Sequence, residues 1–469
     1  MKPKKKNAIE LKVNQARIEF TKKSLTAWGG ICTVLAKYVE SIDLQEWVEA
    51  KIPVSETSPN AKGIYPKLLA HLLTVLCGGR RFSHIQWWSH GSEAICTAFG
   101  IDWLPTAPSV LTRFWEKFNG QALCDRWGKT LRTLSGTLME AEGITEDNLN
   151  LDSSVLTRYG HQEGAMKGYN PKKPGRKSHH PLMAFLGNGF VVTLWNRSGN
   201  THSAHQCVSF YSQPLSSLPK SFTIRHVLAD SGFYAIGFIR YLEEPQLHYI
   251  MAVPFMPCLQ SHILSLPTDA WRRVSKGIDI AEFYFQHQAE AWKKPRRYVL
   301  IRKDTGIRPD AIGRQPELFK EFEEVKRYRF NLVITNADKL SPIEVWREMR
   351  PRSNDENVIK ELKNNYGWDA FNMNSFWATE AVLATVAMLY HNLIHFLIRN
   401  LLSKNSRMFG LGTLRMKYLI LPAVLGSQGR TPILRVGVKD KSIRGKLTYW
   451  LTNIPNMQLN LNCNAVVPP

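Results

Sequence analysis

The stretch "NLNLDSSVL", residues 148–156, decides how the middle of this chain is interpreted, because apolar and polar side chains alternate along it. Alternation with a period of two residues is typical of a β-strand. The stretch "PLMAFLGNGFVVTLWNR", residues 181–197, follows with two apolar runs on either side of Gly187-Asn188-Gly189, which is a hairpin signal. The sequence therefore predicts three consecutive strands that can pair as an antiparallel meander.

Two further strands are predicted downstream, each after a helix. A helix near 203–215 precedes "IRHVLADSGF" (224–233), a strand that ends at Asp230, and a helix at 234–244 precedes "HYIMAVP" (248–254). Strands that are reached through helical crossovers can lie parallel. The whole order predicts a mixed five-stranded sheet with helices on its faces. This fold class, between α/β and α+β, is the ribonuclease H-like arrangement.

The chain has 469 residues, which is too many for one core of ordinary size, so we expect several structural units. The runs "RRYVLIRK" (296–303) and "RYRFNLVIT" (327–335) indicate that a mainly β region interrupts the sheet domain. The predicted parts are a helical region at 1–145, the first part of the sheet domain at 146–254, an inserted β-rich region at 255–340, the last part of the sheet domain at 341–402, and a basic C-terminal region at 403–469.

The net charge points to a polyanionic partner. Lys and Arg number 61 against 39 Asp and Glu, which gives a formal charge of +22 and a pI near 9.7. Such an excess favours DNA, RNA or an anionic membrane, because each neutralised phosphate releases counterions. A generally basic soluble protein is the alternative.

A membrane is the poorer choice among these partners. The most apolar run, "AVLATVAMLY" (381–390), is followed by polar residues and is interpreted as part of a buried helix of roughly 375–402. The N-terminal lysines precede no apolar stretch, so no secretory signal is predicted. The seven scattered cysteines contain no CxxC pair and fit a reducing cytoplasm.

Two acids fall where the predicted sheet would bring them together. Asp152 lies on the first strand and Asp230 at the C-terminal end of the fourth, and these strands are neighbours in a sheet of this order. Like charges that close need a cation between them. A third carboxylate would complete a site for Mg²⁺ or Mn²⁺, and two such ions can assist phosphodiester transfer.

The stretch "RSNDENVIKELK" (352–363) offers a third acid. Helical spacing places Arg352, Glu356 and Lys363 on one stripe, whereas Asp355 and Glu361 point elsewhere and are interpreted as solvated. Taken alone, a charged run of this kind usually only solubilises a helix.

Four segments together resemble the bacterial insertion-sequence DDE transposases with a Tyr–Arg–Glu–Lys signature: 151–185, "RSGNTHSA" (197–204), "LADSGF" (228–233) and 352–363. The resemblance covers roughly residues 150–400. It implies that three acids bind two divalent metal ions and that the protein cuts and rejoins DNA at the element ends.

Residue by residue, the resemblance assigns the three metal-binding acids to Asp152, Asp230 and Glu356. The signature's Arg and Lys match Arg352 and Lys363, which the resemblance places in contact with DNA near the cut. Met349 stands where the signature has Tyr, so that DNA contact is not carried over. The resemblance also implies Mg²⁺ or Mn²⁺ as cofactor, double-stranded DNA as substrate, a homodimer that joins two element ends, and a bacterial cytoplasmic, nucleoid-associated location.

Further candidate DNA contacts come from basic segments. The stretch "KGYNPKKPGRKSHH" (167–180) is predicted to be a loop, because it carries Gly and Pro. Its candidate phosphate contacts are Lys167, Lys172, Lys173, Arg176 and Lys177. A solvated loop is the alternative.

The helical stretch "PSVLTRFWEKF" (108–118), started by Ser109, could enter a DNA groove with Arg113 and Lys117, and an ordinary surface helix is equally compatible. Trp271 and Trp292 of the inserted region are candidates for stacking on an unpaired base, with core packing as the alternative. His179, His180, His202 and His205 lack the partners of a tetrahedral zinc site, so DNA contact or capping is expected of them.

The sequence thus predicts a transposase that cleaves terminal inverted repeats, recognised by the N-terminal helices, and transfers the 3′-hydroxyl ends into target DNA. The C-terminal region is expected to serve dimerisation or DNA contact. Two alternatives stay open: a related metal-dependent nuclease without strand transfer, and an inactive or domesticated DNA-binding copy.

Overall fold

The computed structural model describes residues 12–13, 16–17, 21, 23–289, 291–304, 328–350, 353–402 and 409–462. In chain order its strands are β1 Lys12–Val13, β2 Ala16–Arg17, β3 Leu25–Thr26, β4 Glu146–Ser153, β5 Leu156–Thr157, β6 Met166–Lys167, β7 Lys177–His179, β8 Leu182–Leu186, β9 Val191–Trp195, β10 Thr223–Ala229, β11 Tyr249–Ala252, β12 Arg272–Ser275, β13 Ile278–Phe285, β14 Arg296–Asp304, β15 Tyr328–Thr335, β16 Ala423–Gln428 and β17 Thr431–Val436.

The helices are α1 Ala36–Ser41, α2 Leu44–Lys51, α3 Tyr65–Leu76, α4 Gln86–Ser89, α5 Ser92–Phe99, α6 Pro108–Trp115, α7 Gln121–Ala141, α8 Cys207–Leu215, α9 Ile236–Glu243, α10 Pro257–Leu264, α11 Pro342–Met349, α12 Ser353–Asn365, α13 Phe376–Leu402, α14 Leu411–Leu414 and α15 Lys441–Asn453. Helix α13 includes two π-helical segments, Thr385–His391 and Ile398–Leu402.

The main sheet is mixed and has the strand order β12-β13-β14-β15-β11-β10-β4-β8-β9. Strands β4, β8 and β9 form the predicted antiparallel meander. Strand β10 lies parallel to both β4 and β11, as the crossover helices α8 and α9 predict. The directions and neighbours of the five predicted strands are therefore confirmed.

The predicted size of the sheet is wrong, because it contains nine strands rather than five. Strand β15 pairs antiparallel with β11, and β14, β13 and β12 continue outward from it. A sheet ending at β11 would present a row of unpaired backbone groups, and β15 covers that edge. The strands β12 to β15, which fall in the predicted inserted region 255–340, are thus continuous with the main sheet.

The described part of residues 1–145 is largely helical, as predicted, with α1 to α7 and three very short strands. Strand β3 pairs with β16 of the β16–β17 hairpin, so the N-terminal helical region and the C-terminal region share a small three-stranded sheet. Helix α6 begins at Pro108, directly after Ala107, and not at the predicted Ser109. The fixed φ of proline suits the first position of a helix.

Helix α13 is long and apolar enough to cross a membrane by length and composition, yet its most apolar window is entirely buried inside the protein. The prediction of a buried helix over roughly 375–402 is confirmed. It packs against α7, where Trp127 Nε1 donates to Thr385 Oγ1 at 2.8 Å. This helix forms the centre of the core that joins the N-terminal helices to the sheet.

Asn392 of α13 closes the edge of the sheet at β9. Its Oδ1 accepts from the Val191 N–H at 3.0 Å, and its Nδ2 donates to the Val191 carbonyl at 2.8 Å and to Ser135 Oγ at 3.2 Å. The Asn392 side chain is completely buried. One amide thus substitutes for a neighbouring strand at a buried edge position.

We expect Asn392→Leu to lower the free energy of unfolding by about 1–3 kcal/mol, because the buried Val191 N–H loses its acceptor. Urea denaturation followed by circular dichroism measures the change. Asn364→Ala, on the exposed Asn364 of α12, is the control and should stay within about 0.5 kcal/mol of wild type. Equal losses in both variants would contradict the role given to Asn392.

Candidate active site

Asp152 and Asp230 lie next to each other where the adjacent strands β4 and β10 end. This end of the sheet is called the acidic edge below. In the parallel β4–β10 pair Leu151 stands opposite Ala229, so the next residue on each strand is one of the two acids. Neighbouring strands are about 4.8 Å apart. The predicted adjacency of the two strands is confirmed.

Backbone N–H groups orient both carboxylates. Asp152 Oδ1 accepts from the Ser153 N–H at 2.7 Å. Asp230 Oδ1 accepts from the Gly232 N–H at 2.8 Å, and in doing so caps the 3₁₀ turn Ser231–Phe233. Two carboxylates held in this way, with Asp152 largely buried, suit a hard divalent cation, which takes one or two carboxylates and keeps water or phosphate as its other ligands.

A chain of hydrogen bonds supports the end of β4. His180 Nδ1 contacts the Thr201 carbonyl at 3.1 Å and His180 Nε2 contacts Ser153 Oγ at 3.1 Å. Burial lowers the pKa of His180 to about 4, so the ring is neutral at pH 7 and donates to the carbonyl while accepting from the serine. Ser153 Oγ in turn lies 3.2 Å from Ser203 Oγ.

His179 is also buried, between Arg158 Nε at 3.1 Å and the Glu163 carbonyl at 2.8 Å. Both adjacent histidines therefore support the fold, and the alternative of DNA contact is wrong for them. The sequence signal for this role is their position directly before β8, since residues that enter a buried strand are themselves often buried.

The polar face of β4 is buried beneath two helices. Asn148 Nδ2 donates to Glu348 Oε2 of α11 at 3.0 Å, and Asn150 Nδ2 donates to Asp355 Oδ1 of α12 at 3.0 Å. Lys363 Nζ, further along α12, donates to Ser154 Oγ at 2.6 Å. Asn148 thus holds α11, and Asn150 together with Ser154 holds α12 along the strand that carries Asp152.

This arrangement corrects the interpretation of Asp355 and Glu361 as solvated. Asp355 is almost completely buried against the sheet. Glu361 Oε1 accepts from the Leu411 N–H at 2.7 Å, and its Oε2 accepts from Asn365 Nδ2 at 2.6 Å. Their tertiary partners are distant in sequence, which is why charge pattern alone misassigned them.

Glu356 lies near the same sheet edge and faces outward. Its side chain is 63% exposed and its Oε2 is 3.7 Å from Lys360 Nζ. It lines a cavity of about 410 Å³ that Ser231 also lines, beside the second acid. Among the described residues, no group of three or more His, Cys, Asp or Glu side chains could hold a metal ion as placed. The three-acid metal site therefore stays a prediction.

Lys363 is placed close to the strand acids. Burial lowers the pKa of its ammonium below the ordinary value and Lys172 acts in the same direction, whereas Asp369 and Asp152 oppose the shift. Lys363 lies near Asp152, since its Nζ donates to the hydroxyl of Ser154, two residues further along the chain. Its predicted partner on the stripe, Arg352, lies outside the described residues.

Residues 168–176 of the basic segment form no helix or strand, as predicted for a loop, whereas Lys167 and Lys177–His179 belong to β6 and β7, which form a small sheet with β5. Close backbone packing requires glycine here: a Cβ at Gly199 would lie 2.4 Å from the Met166 carbonyl oxygen. The five candidate phosphate contacts are all exposed, namely Lys167, Lys172, Lys173, Arg176 and Lys177.

Two tyrosines that the sequence analysis did not single out accompany these bases. Tyr159 and Tyr169 are 74% and 72% exposed, and the Arg176 guanidinium lies 5.9 Å from the Tyr159 ring centroid. Basic residues mixed with exposed aromatic rings are typical of nucleic-acid surfaces. The signal was present in the sequence, since both tyrosines lie within 20 residues of the lysines.

The two candidates on the N-terminal helix differ in their surroundings. Arg113 is exposed on α6. Lys117 lies beyond the end of α6, and its Nζ donates to the Ser55 carbonyl at 2.7 Å and lies 3.5 Å from Glu56 Oε1. Lys117 is thus held within the N-terminal helices, which does not support its use as a groove contact.

Trp271 and Trp292 are both half-buried, and each lies against an aromatic ring or a guanidinium group. The Arg302 guanidinium lies 3.9 Å from the Trp271 ring centroid. Trp292 contacts His287 and Tyr234, with ring centroids 4.3 Å and 5.5 Å away, in a cavity of about 700 Å³. Tyr234 is only four residues after Asp230, so this cavity adjoins the acidic edge.

Residues 10–439 match the family described as Transposase DDE domain group 1. The chain belongs to the DDE transposases. Membership implies nuclease and transposition chemistry, and the family generally uses divalent metal ions. No curated protein matches the chain. A piggyBac transposase, solved by cryo-EM in a synaptic complex with hairpin DNA, is similar at 11% identity and a TM-score of 0.39, covering 91% of this chain and 84% of that one.

We expect Asp355→Ala in this DDE transposase to lower the free energy of unfolding by about 1–3 kcal/mol, because the buried Asn150 amide loses its acceptor. Urea denaturation checks the loss. Asn357→Ala, at an exposed position of the same helix, is the matched control and should change stability by less than about 0.5 kcal/mol. A neutral Asp355→Ala would show that this contact does not fix α12 on the sheet.

Proposed function

We propose that this DDE transposase belongs to a bacterial insertion sequence of the Tyr–Arg–Glu–Lys group. In this proposal it cleaves DNA at the terminal inverted repeats and transfers the 3′-hydroxyl ends into target DNA. The observation that carries the proposal is the register of β4 and β10, which places Asp152 and Asp230 together at one sheet edge. The order β11-β10-β4-β8-β9 supports a ribonuclease H-like core within the larger sheet.

Asp152, Asp230 and Glu356 are the residues proposed to hold Mg²⁺ or Mn²⁺, in two sites. When bound, such ions activate the attacking oxygen and stabilise the leaving one. The protein itself orients the two strand carboxylates through the Ser153 and Gly232 N–H groups. Glu356 would need to turn its exposed side chain away from Lys360 and toward the strand ends, which a helical side chain can do by changing rotamer.

DNA is the proposed partner because cationic groups surround this edge. The bases of the basic segment are exposed, and one of them, Lys172, helps to lower the pKa of Lys363, whose Nζ donates to Ser154 Oγ two residues after Asp152. Cationic side chains next to metal-binding acids suit a phosphate backbone that passes through the site. We further propose a homodimer, which brings two DNA ends together, and a nucleoid-associated location in a bacterial cytoplasm.

Asp152→Asn and Asp230→Asn should each reduce cleavage of labelled element ends in Mg²⁺ by at least about 100-fold, since changes merely adjoining a metal site cost 10–100-fold. Glu356→Gln should do the same, with DNA binding retained in all three. Asp338→Asn, at an exposed acid, is the control. Full cleavage by Asp152→Asn would refute the site, and cleavage without joined products in wild type would identify a nuclease instead.

The paired substitution Lys172→Ala with Arg176→Ala should weaken binding to duplex ends and lower the slope of log K against log salt concentration by about 2, because each lost phosphate contact removes about 0.9. Fluorescence anisotropy at several salt concentrations measures the slope. Lys220→Ala with Lys339→Ala, two exposed lysines on other elements, is the control pair. An unchanged slope in the first pair would exclude the segment from the DNA interface.

A further inference from the structure

A second cavity opens at the same edge of the sheet, two strands away from Asp152. It has a volume of about 650 Å³ and lies between the end of β9, α8 and the start of α13. Ser153 stands opposite Leu182, and Leu182 opposite Trp195, so the end of β9 is level with the end of β4. Two strand spacings separate the cavity from the first acid, roughly 10 Å.

The base of this cavity carries polar groups without partners. Asn196 is 4% exposed, and neither Oδ1 nor Nδ2 of its side chain makes a hydrogen bond within the described part of the chain. The same holds for Nη2 of the buried Arg197, whose other nitrogens donate to the His180 and His202 carbonyls. Buried groups of this kind are normally satisfied, so their grouping around one cavity indicates a ligand.

Glu380 adds an acid that is neutral under physiological conditions. Its Oε2 accepts from the Asn196 backbone N–H at 2.8 Å. Burial, aided by Asp125, raises the pKa of the Glu380 carboxyl to about 8 against the lowering effects of the Asn196 N–H and Arg132. A protonated carboxyl beside an amide presents both donors and acceptors without a net charge.

Aromatic side chains form the walls. Trp195, Phe376 and Trp377 line the cavity and are each half-buried. Trp195 is held in place by its Nε1, which donates to Gln213 Oε1 at 2.8 Å, and Phe376 and Trp377 meet edge to face with centroids 5.1 Å apart. Flat apolar walls around a few polar groups are the usual composition of a site for a small planar ligand.

We propose that this cavity binds a nucleobase, with its faces against the aromatic walls and its edge on the Asn196 amide. Asparagine amides pair with base edges through one donor and one acceptor, and bases stack on aromatic side chains. The base comes either from a DNA strand or from a free nucleotide, and only the first source rests on the proposed function. The cavity shares no lining residue with the Trp292 cavity.

The test uses the full-length protein and 2-aminopurine, a fluorescent base that is quenched on stacking. One arm titrates protein into 2-aminopurine riboside, and the other into a duplex with 2-aminopurine opposite an abasic site. We expect saturable quenching in at least one arm. Quenching of the riboside identifies a free nucleotide as a source, and quenching of the duplex alone identifies DNA.

Asn196→Leu separates a binding role from a structural one. It should weaken quenching at least tenfold while leaving the melting temperature unchanged or higher, because it removes buried polar atoms that have no partner in the protein. Asn200→Leu makes the same chemical change at an exposed position nearby and should leave binding unchanged. Trp377→Leu is a second variant that should also weaken quenching.

The proposal is overturned if wild type quenches neither probe, or if Asn196→Leu binds within twofold of wild type. If the wild-type protein quenches a probe but does not cleave element ends, the proposed function is refuted and the cavity assignment stays intact. Normal cleavage without quenching would refute the cavity assignment alone.

Discussion

The parallel pairing of β4 with β10 is the constraint on which the candidate active site depends. Leu151 and Ala229 are paired and completely buried, so the register cannot slip by one residue without turning apolar side chains to the wrong face. Because the acids follow immediately, the packing of the core determines their separation. Repulsion between the two carboxylates is thereby opposed by the hydrophobic interior of the sheet, and a cation would relieve it.

Strand β4 also constrains the positions of the helices packed on it, because both of its faces are buried. Its leucines enter the core, Asn148 and Asn150 donate to α11 and α12 on the other face, and Asp152 is also buried. Buried polar groups cost stability unless each finds a partner, so the helices are constrained to positions that supply one. The contacts that satisfy the strand therefore also place α12, with Glu356 and Lys363, beside the acids.

The sequence predicts those features of the fold that local periodicity encodes. Alternation and hairpin signals identified β4, β8 and β9, and the two crossover helices were sufficient to place Asp230 next to Asp152. The burial of Asp355 was missed because its partner, Asn150, is 205 residues away in the chain. The joining of β15 to β11 was missed for a related reason: a strand pattern reveals that a strand exists and not which edge it covers. The metal site, the DNA contacts and the third acid remain predictions.

The continuity of the sheet has a consequence for how the inserted strands act. Tyr234, just after the turn that Asp230 caps, places its hydroxyl 2.8 Å from both Tyr298 Oη of β14 and His287 Nε2. Strand β14 is tied through β15 and β11 to β10, which ends at the same aspartate. The aromatic cavity at Trp292 and the acid are thus linked both through backbone ladders and through side chains. Because the segment is held both by the backbone ladders and by the Tyr234 hydroxyl, its position relative to Asp230 is set by the pairing of the sheet.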